Sequence, residues 1–312
     1  ELLRSASFSQ YVTISAAGFP IDTPVLIFPS EGLRTIDLAT GLSYPAKAER
    51  ARRNPRVGLL IEGGPTEPVI AIAGMAAVRD ADLQRNVYRY LSEAAQELPH
   101  NPDWPLARQA VWYWTRILVE ITPVRILWWD NQGAIDGPPH RWDAPAGIDY
   151  PASDPAPPGE VSSPAKWEQP PFQDLARQAL AKGTPSHLSV IDDEGYPVTV
   201  RARSVELVDD GVTLDLPQGL PWPLTGKACL TFGGVETFLG EMRDGNFLHV
   251  HRALPVFPMT ADMAQLWNPT EHTRDELMRR LVHETHRRDQ PIPQIPAERP
   301  LPTEGYKLRM AR

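Results

Sequence analysis

Two stretches of this chain carry the same short text in the same order. Gly18-Phe19-Pro20 returns as Gly195-Tyr196-Pro197, each a turn after an apolar run. Thr35-Ile36-Asp37-Leu38-Ala39-Thr40-Gly41-Leu42 returns as Thr213-Leu214-Asp215-Leu216-Pro217-Gln218-Gly219-Leu220. Gly74-Met75-Ala76-Ala77-Val78-Arg79-Asp80 can be set against Gly240-Glu241-Met242-Arg243-Asp244 with a short gap. Matches that keep their order at a nearly constant offset imply two copies of one unit, each with its own core. At 312 residues the chain is long enough for two, because single cores stop growing near roughly 250–300 residues.

Both copies read as β structure. The chain has 34 prolines, about twice the usual share of roughly 5%, which disfavours long helices and favours short strands with rigid connections. Before residue 137 the β-like runs are 11–15, 23–28, 34–39, 56–62, 69–78, 115–121 and 124–129. Two helices interrupt them: Pro45 to about Arg53, and one capped by Asp80 that runs to about Glu97. The stretch from Gly137 to Pro171 is rich in proline and poor in periodicity, so it reads as a semi-rigid linker, with Trp142, Tyr150 and Trp167 docking parts of it. After it come a helix from Phe172 to Lys182 and strands at 187–191, 198–207, 212–216, 227–232, 236–242 and 246–254. A last helix begins near Thr273, with Glu276 at capping-box spacing, and a second proline-rich stretch, Pro291 to Pro302, follows it. The expected domains are 1–136, a linker 137–171, a second barrel 172–260, and a helix with a proline-rich tail 261–312.

A net charge of -8 argues against general affinity for nucleic acid or anionic membranes. Cys229 is the one cysteine, which excludes an intramolecular disulfide and any multi-cysteine metal or iron–sulfur site. No stretch approaches the roughly 20 apolar residues that span a bilayer, and no basic-then-apolar leader opens the chain, so the cytoplasm is the expected compartment.

The copies diverge at one place. After Leu42 the first continues Ser43-Tyr44-Pro45-Ala46-Lys47-Ala48-Glu49-Arg50-Ala51-Arg52-Arg53, a proline-started basic helix. After Leu220 the second has only Pro221-Trp222-Pro223-Leu224-Thr225-Gly226 before its next strand. Unsatisfied N–H groups at a helix start favour an anion; Ser43 can add a hydroxyl and Lys47 a full charge. The residues describe either a phosphate cradle or a solvated basic helix with an ordinary cap.

The segment Gly41-Leu42-Ser43-Tyr44-Pro45-Ala46-Lys47, with Arg53-Asn54-Pro55-Arg56-Val57-Gly58-Leu59 after the helix, resembles one shared by split β-barrel oxidoreductases of the pyridoxamine 5'-phosphate oxidase-like family, which use flavin or the deazaflavin F420. So does the earlier Gly18-Phe19-Pro20 with Thr23-Pro24-Val25. The likeness covers about residues 10–130 and, more weakly, 185–255. It implies a mainly β fold with some helix: two tandem FMN-binding split β-barrels paired as an intramolecular pseudo-dimer. It further implies a cofactor, FMN or alternatively F420, in the groove between barrels. Carried over, Lys47 and Ser43 would hold the phosphate. Thr40 and the strand Asp37, Leu38, Ala39 would run beside the ribityl chain and ring, and Val25 to Phe28 would line the adjacent strand. Arg50 or Arg53 would add charge unless they are solvated helix-face arginines. With no lysine helix in the second copy, one competent cradle is expected, its far wall offered by Trp222, His249 or His251.

No serine–histidine–acid triad, paired-carboxylate spacing or Walker-type loop is legible, and no residue is singled out as catalytic. His283-Glu284-Thr285-His286 lacks the i, i+4 histidine spacing of a zinc helix, and no metal site is expected. Trp112, Trp114, Trp128 and Trp129 read as core or interface. The expected function is flavin-dependent oxidoreduction of a small organic substrate by hydride transfer. The alternatives are a non-catalytic flavin carrier or sensor and a haem-binding split barrel that uses His249 and His251. The expected partner is a small molecule, with no nucleic acid and no membrane, for a monomer or a homodimer.

Overall fold

The computed structural model describes residues 8–30, 34–93, 103–162, 171–255 and 269–301. Trp167 and the far end of the helix expected to reach Glu97 lie outside them.

Short runs rich in apolar and β-branched residues give six strands around the first core: β1 (Phe8–Ile14), β2 (Pro20–Pro29), β3 (Ile36–Gly41), β4 (Arg56–Glu62), β5 (Val69–Arg79) and β6 (Arg116–Trp129). Their order is β3-β2-β1-β4-β5-β6, and antiparallel pairing of β3 with β6 closes the barrel. Tyr11, Ile27, Leu38, Leu59, Val78 and Ile117 fill it. The outer part of β6 pairs instead with β7 (His140–Asp143), so the segment read as the start of the linker extends the first sheet.

The second sheet runs β10-β11-β14-β13-β12-β8-β9, built from β8 (Ser186–Ile191), β9 (Pro197–Arg201), β10 (Ser204–Val208), β11 (Gly211–Asp215), β12 (Gly226–Phe232), β13 (Glu236–Arg243) and β14 (Phe247–Ala253). Each pairing that builds the first barrel has a counterpart here, if β9 and β10 together stand for β2. The difference is a break. β2 passes from pairing with β1 to pairing with β3 without interruption, whereas its counterpart stops at Ala202–Arg203 and leaves the second barrel curled but open. The expected fold, mainly β with two split barrels in tandem, is what the chain adopts.

The repeated glycines have physical reasons. Gly18 and Gly195 take φ of 79° and 82° in matching turns, closed by Gly18 N–H to Ser15 and Gly195 N–H to Asp192, each at 2.9 Å. Gly74 and Gly240 each sit at a register shift in the fifth strand of their barrel. There a Cβ would lie 2.5 Å from the Ile121 side chain or 2.0 Å from the His249 carbonyl.

The helices are α1 (Ala46–Arg53), α2 (Leu83–Glu93), the short α3 (Trp104–Ala107) and α4 (Val111–Trp114), α5 (Phe172–Ala181) and α6 (Glu271–Arg287). Two expected caps are corrected. α2 starts at Leu83, where Asp82 accepts from Arg85 N–H at 2.8 Å, because Asp80 is held in ion pairs with Arg52 and Arg288. α6 starts at Glu271, capped by Thr270 accepting from Thr273 N–H at 3.3 Å. No described helix is long and apolar enough to cross a membrane.

The barrels pack through the outer faces of β1, β2 and β4 against β8, β9 and β12. Gly58 and Gly234 permit the closest approaches: a Cβ would fall 2.2 Å from the Pro197 carbonyl oxygen and 1.9 Å from Pro24 Cδ, respectively. Arg125 clamps Asp192 and Glu194 across the seam, and Lys227 donates to the Ala17 carbonyl at 2.6 Å. α6 packs on the first barrel, with Leu277 and Leu281 in its core.

Candidate functional site

α1 caps one end of the first barrel. Pro45 is its N-cap and Glu49 N–H closes the first turn onto the Pro45 carbonyl at 2.9 Å. Ala48 and Ala51 are buried against the core, where small side chains let the helix lie close. The two other faces of this short helix carry opposite electrostatics.

On one face, Glu49 and Arg52 enter a buried network with Asp80, Glu284, Arg287 and Arg288. Three carboxylates meet three guanidiniums, so this side is neutral. Glu284 also accepts from Ser162 N–H at 2.7 Å, tying the proline-rich segment to α6.

On the other face, Lys47 and Arg50, one turn apart, converge with Arg116 from the start of β6. Cross-strand pairing sets Arg116 opposite Gly41, where a Cβ would come within 3.5 Å of its guanidinium. Arg116 lies over the rings of Tyr113 and Tyr90, 4.0 and 4.5 Å from their centroids. Lys47 makes no hydrogen bond or ion pair with the described residues. Burial, then the charges of Arg50 and Arg116, push its ammonium down to about 7. Arg50 donates to Thr13 Oγ1 at 2.7 Å, and burial brings it down to about 10. Cys229 of β12, in the second barrel, lies close enough to act on it electrostatically. Arg116 Nε and Trp112 Nε1 are buried donors without acceptors. Three cationic side chains therefore meet at this face, an arrangement chemically suited to an acceptor-rich anion.

The residues expected at the site divide accordingly. Lys47 and Arg50 come together, and Arg50 is engaged at the barrel mouth, contrary to the solvated alternative; Arg53 is the exposed one. Ser43 is fully buried, but its hydroxyl donates to the Leu277 carbonyl of α6 at 3.0 Å, so its hydrogen is directed to protein, away from any phosphate. Thr40 donates to the Tyr44 carbonyl at 3.3 Å. Val25 and Leu38 point into the core, and Ala39 packs against it. The Asp37 carboxyl is buried under Arg89; burial, against the pull of that guanidinium, raises it to about 6. Trp222 packs edge-on to Trp129 at 6.3 Å along the seam. His249 and His251 meet edge-on at 5.2 Å, with His249 3.6 Å from Asp210. Among the described residues no cluster of three or more metal-ligating side chains occurs.

Sequence reading missed Arg116 and Thr13; Trp112, read as core or interface, lies in the first core. A lone basic residue ahead of the apolar run Ile117–Val119 was the one available signal for Arg116. It also missed Asp22 of β2, a carboxyl buried in the seam. Burial lifts this carboxyl to about 7, against His187 and the Thr23 N–H. Nearby, His187 Nε2 and Glu62 bond across the barrels at 2.7 Å.

No protein-family model matches the chain. No curated protein matches it in sequence. Solved structures do. A pyridoxamine 5'-phosphate oxidase, so described provisionally, from Listeria innocua is 22% identical over 40% of this chain and 90% of its own, with a TM-score of 0.29. A pyridoxamine 5'-phosphate oxidase-related, FMN-binding protein from Nostoc punctiforme is 18% identical over 44% and 78%, with a TM-score of 0.32. An F420 reductase is 12% identical over 40% and 92%, with a TM-score of 0.31.

Proposed function

We propose that the chain holds a phosphate-bearing flavin, FMN, with its phosphate in the cradle of Lys47, Arg50 and Arg116, and serves as an oxidoreductase toward a small organic molecule. The observation that carries this is a cationic trio, Lys47, Arg50 and Arg116, beside α1 at the mouth of the first barrel, in a protein whose overall charge is -8. A bound phosphate would restore the Lys47 ammonium and supply acceptors for Arg116 Nε and Trp112 Nε1. The likeness of the Gly41–Lys47 segment to flavin-dependent split barrels supports the choice of cofactor. F420 is the alternative occupant.

A bound flavin carries the hydride chemistry itself. The residues of this chain would anchor, orient and exclude water. Arg116 is pre-set by Tyr90 and Tyr113, Arg50 by Thr13, and Gly41 keeps the approach to the cradle free of a side chain. A fused pair with one cradle would work as a monomer.

The test compares FMN with riboflavin, which lacks the phosphate. Charge-assisted hydrogen bonds of about 1.5–3 kcal/mol each make a roughly hundredfold preference for FMN the expected result. Lys47→Ala should bring FMN down toward riboflavin. Equal binding of the two flavins, or full FMN retention by Lys47→Ala, would count against the cradle. Bleaching of the bound flavin by NADH or NADPH, followed by reoxidation with an acceptor, separates an enzyme from a carrier.

A further inference from the structure

The break between β9 and β10 interrupts a strand whose counterpart in the first barrel, β2, is continuous, and a cleft opens at it. It encloses about 610 Å³, within the range of roughly 300–1,000 Å³ usual for small-molecule sites. Its walls come from both halves of the chain. Gln132 and Ile135 belong to the turn after β6, Phe232 ends β12, and Arg201, Arg203 and Ser204 flank the break itself.

The described lining carries two guanidiniums and no carboxylate. They are not equivalent. Arg203 is neutralised by Asp136 and lies 4.0 Å from Asp215. Arg201 is exposed and has no hydrogen bond or ion pair with the described residues. Glu62, an acid that it acts on electrostatically, is engaged by His187 at 2.7 Å and Gln132 at 2.9 Å. The lining also holds an apolar group, with Phe232 and Ile135 buried and Leu180 and Val205 half-buried, among the polar Gln132, Thr184, Ser186 and Ser204. One open planar cation beside an apolar group suits a single planar anion with a hydrocarbon body.

We infer that the second barrel, which lacks a helix-capped cradle, has its own ligand site in this cleft, for a small carboxylate with an aryl or alkyl body held by Arg201. This inference is independent of the flavin reading, since the cleft shares none of its lining with the cradle.

The test is calorimetric titration of the full chain with 4-phenylbutyrate and with 4-phenylbutanamide, its uncharged counterpart. The carboxylate should bind at least about tenfold more tightly than the amide, the gain of one charge-assisted pair. Arg201→Gln should abolish that preference, and Lys47→Ala should leave it intact. Arg201 is exposed, so its replacement does not threaten folding, and Ser204→Trp, on the lip of the cleft, should block both ligands. Absence of saturable binding, or equal binding of acid and amide, would overturn the inference. So would a preference that survives in Arg201→Gln and Ser204→Trp, or one that disappears in Lys47→Ala, which would place the anion at the cradle.

Discussion

At the scale of single residues, the molecule buries charge in two opposite ways. Lys47 is held beside two other cations, Arg50 and Arg116. Asp22 is buried in the seam, and the groups facing it are His187 from β8, Glu62 from β4 and Cys229 from β12. With its carboxyl lifted from 3.8 to about 7, the folded protein binds a proton there that the unfolded chain has released. The contribution of Asp22 to stability therefore falls as pH rises from about 4 to 7 and is flat above that range. Asp22→Asn should raise stability at pH 8 by about 2–4 kcal/mol and change little at pH 4. Urea denaturation at the two pH values checks this; an equal effect at both would refute it. Lys47 and Arg50 were legible because helix spacing alone puts them on one face. Arg116 was not, because its place depends on β3 pairing with a strand far along the chain. Asp22 gave one weak signal, an acid between Ile21 and Thr23 in a strand pattern.

At the scale of elements, most strands could be read as apolar, β-branched runs bounded by glycine and proline, whereas the register shifts at Gly74 and Gly240 were not foreseen. The caps were misjudged where tertiary contacts claim the side chain. Asp80 looks like a helix cap by spacing, yet three elements bind it through Arg52, Arg288 and the linker. The role of α6 was illegible, since nothing local says that Leu277 will face Ser43. The neutral network makes α6 part of the first barrel. Glu284→Ala would leave Arg287 and Arg288 with a buried excess of charge, and should destabilise the protein by about 3–5 kcal/mol. A loss below about 1 kcal/mol in chemical denaturation would mean that the network does not hold α6 in place.

For the molecule as a whole, the seam between barrels is built as tightly as a core, with backbone against backbone at Gly58 and Gly234. Gly58→Ala would drive a methyl group into the Pro197 carbonyl, a rigid neighbour on the other barrel. The expected cost is about 1–3 kcal/mol, with weaker coupling between the halves. Differential scanning calorimetry should show a lower midpoint and a broadened or split transition; an unchanged profile would argue against close seam packing. That two units lie in one chain was legible from the repeat. The open cleft was not, because a break at Ala202–Arg203 leaves no mark in composition or periodicity.

The hydrogen bond from Ser43 to Leu277 joins residues at opposite ends of the described chain. Ser43 sits at the turn into the lysine-bearing helix, so that turn gains its anchor only after α6, 234 residues further along, has been made and has docked. A first barrel that folds ahead of α6 carries this turn with the Ser43 hydroxyl still to be satisfied.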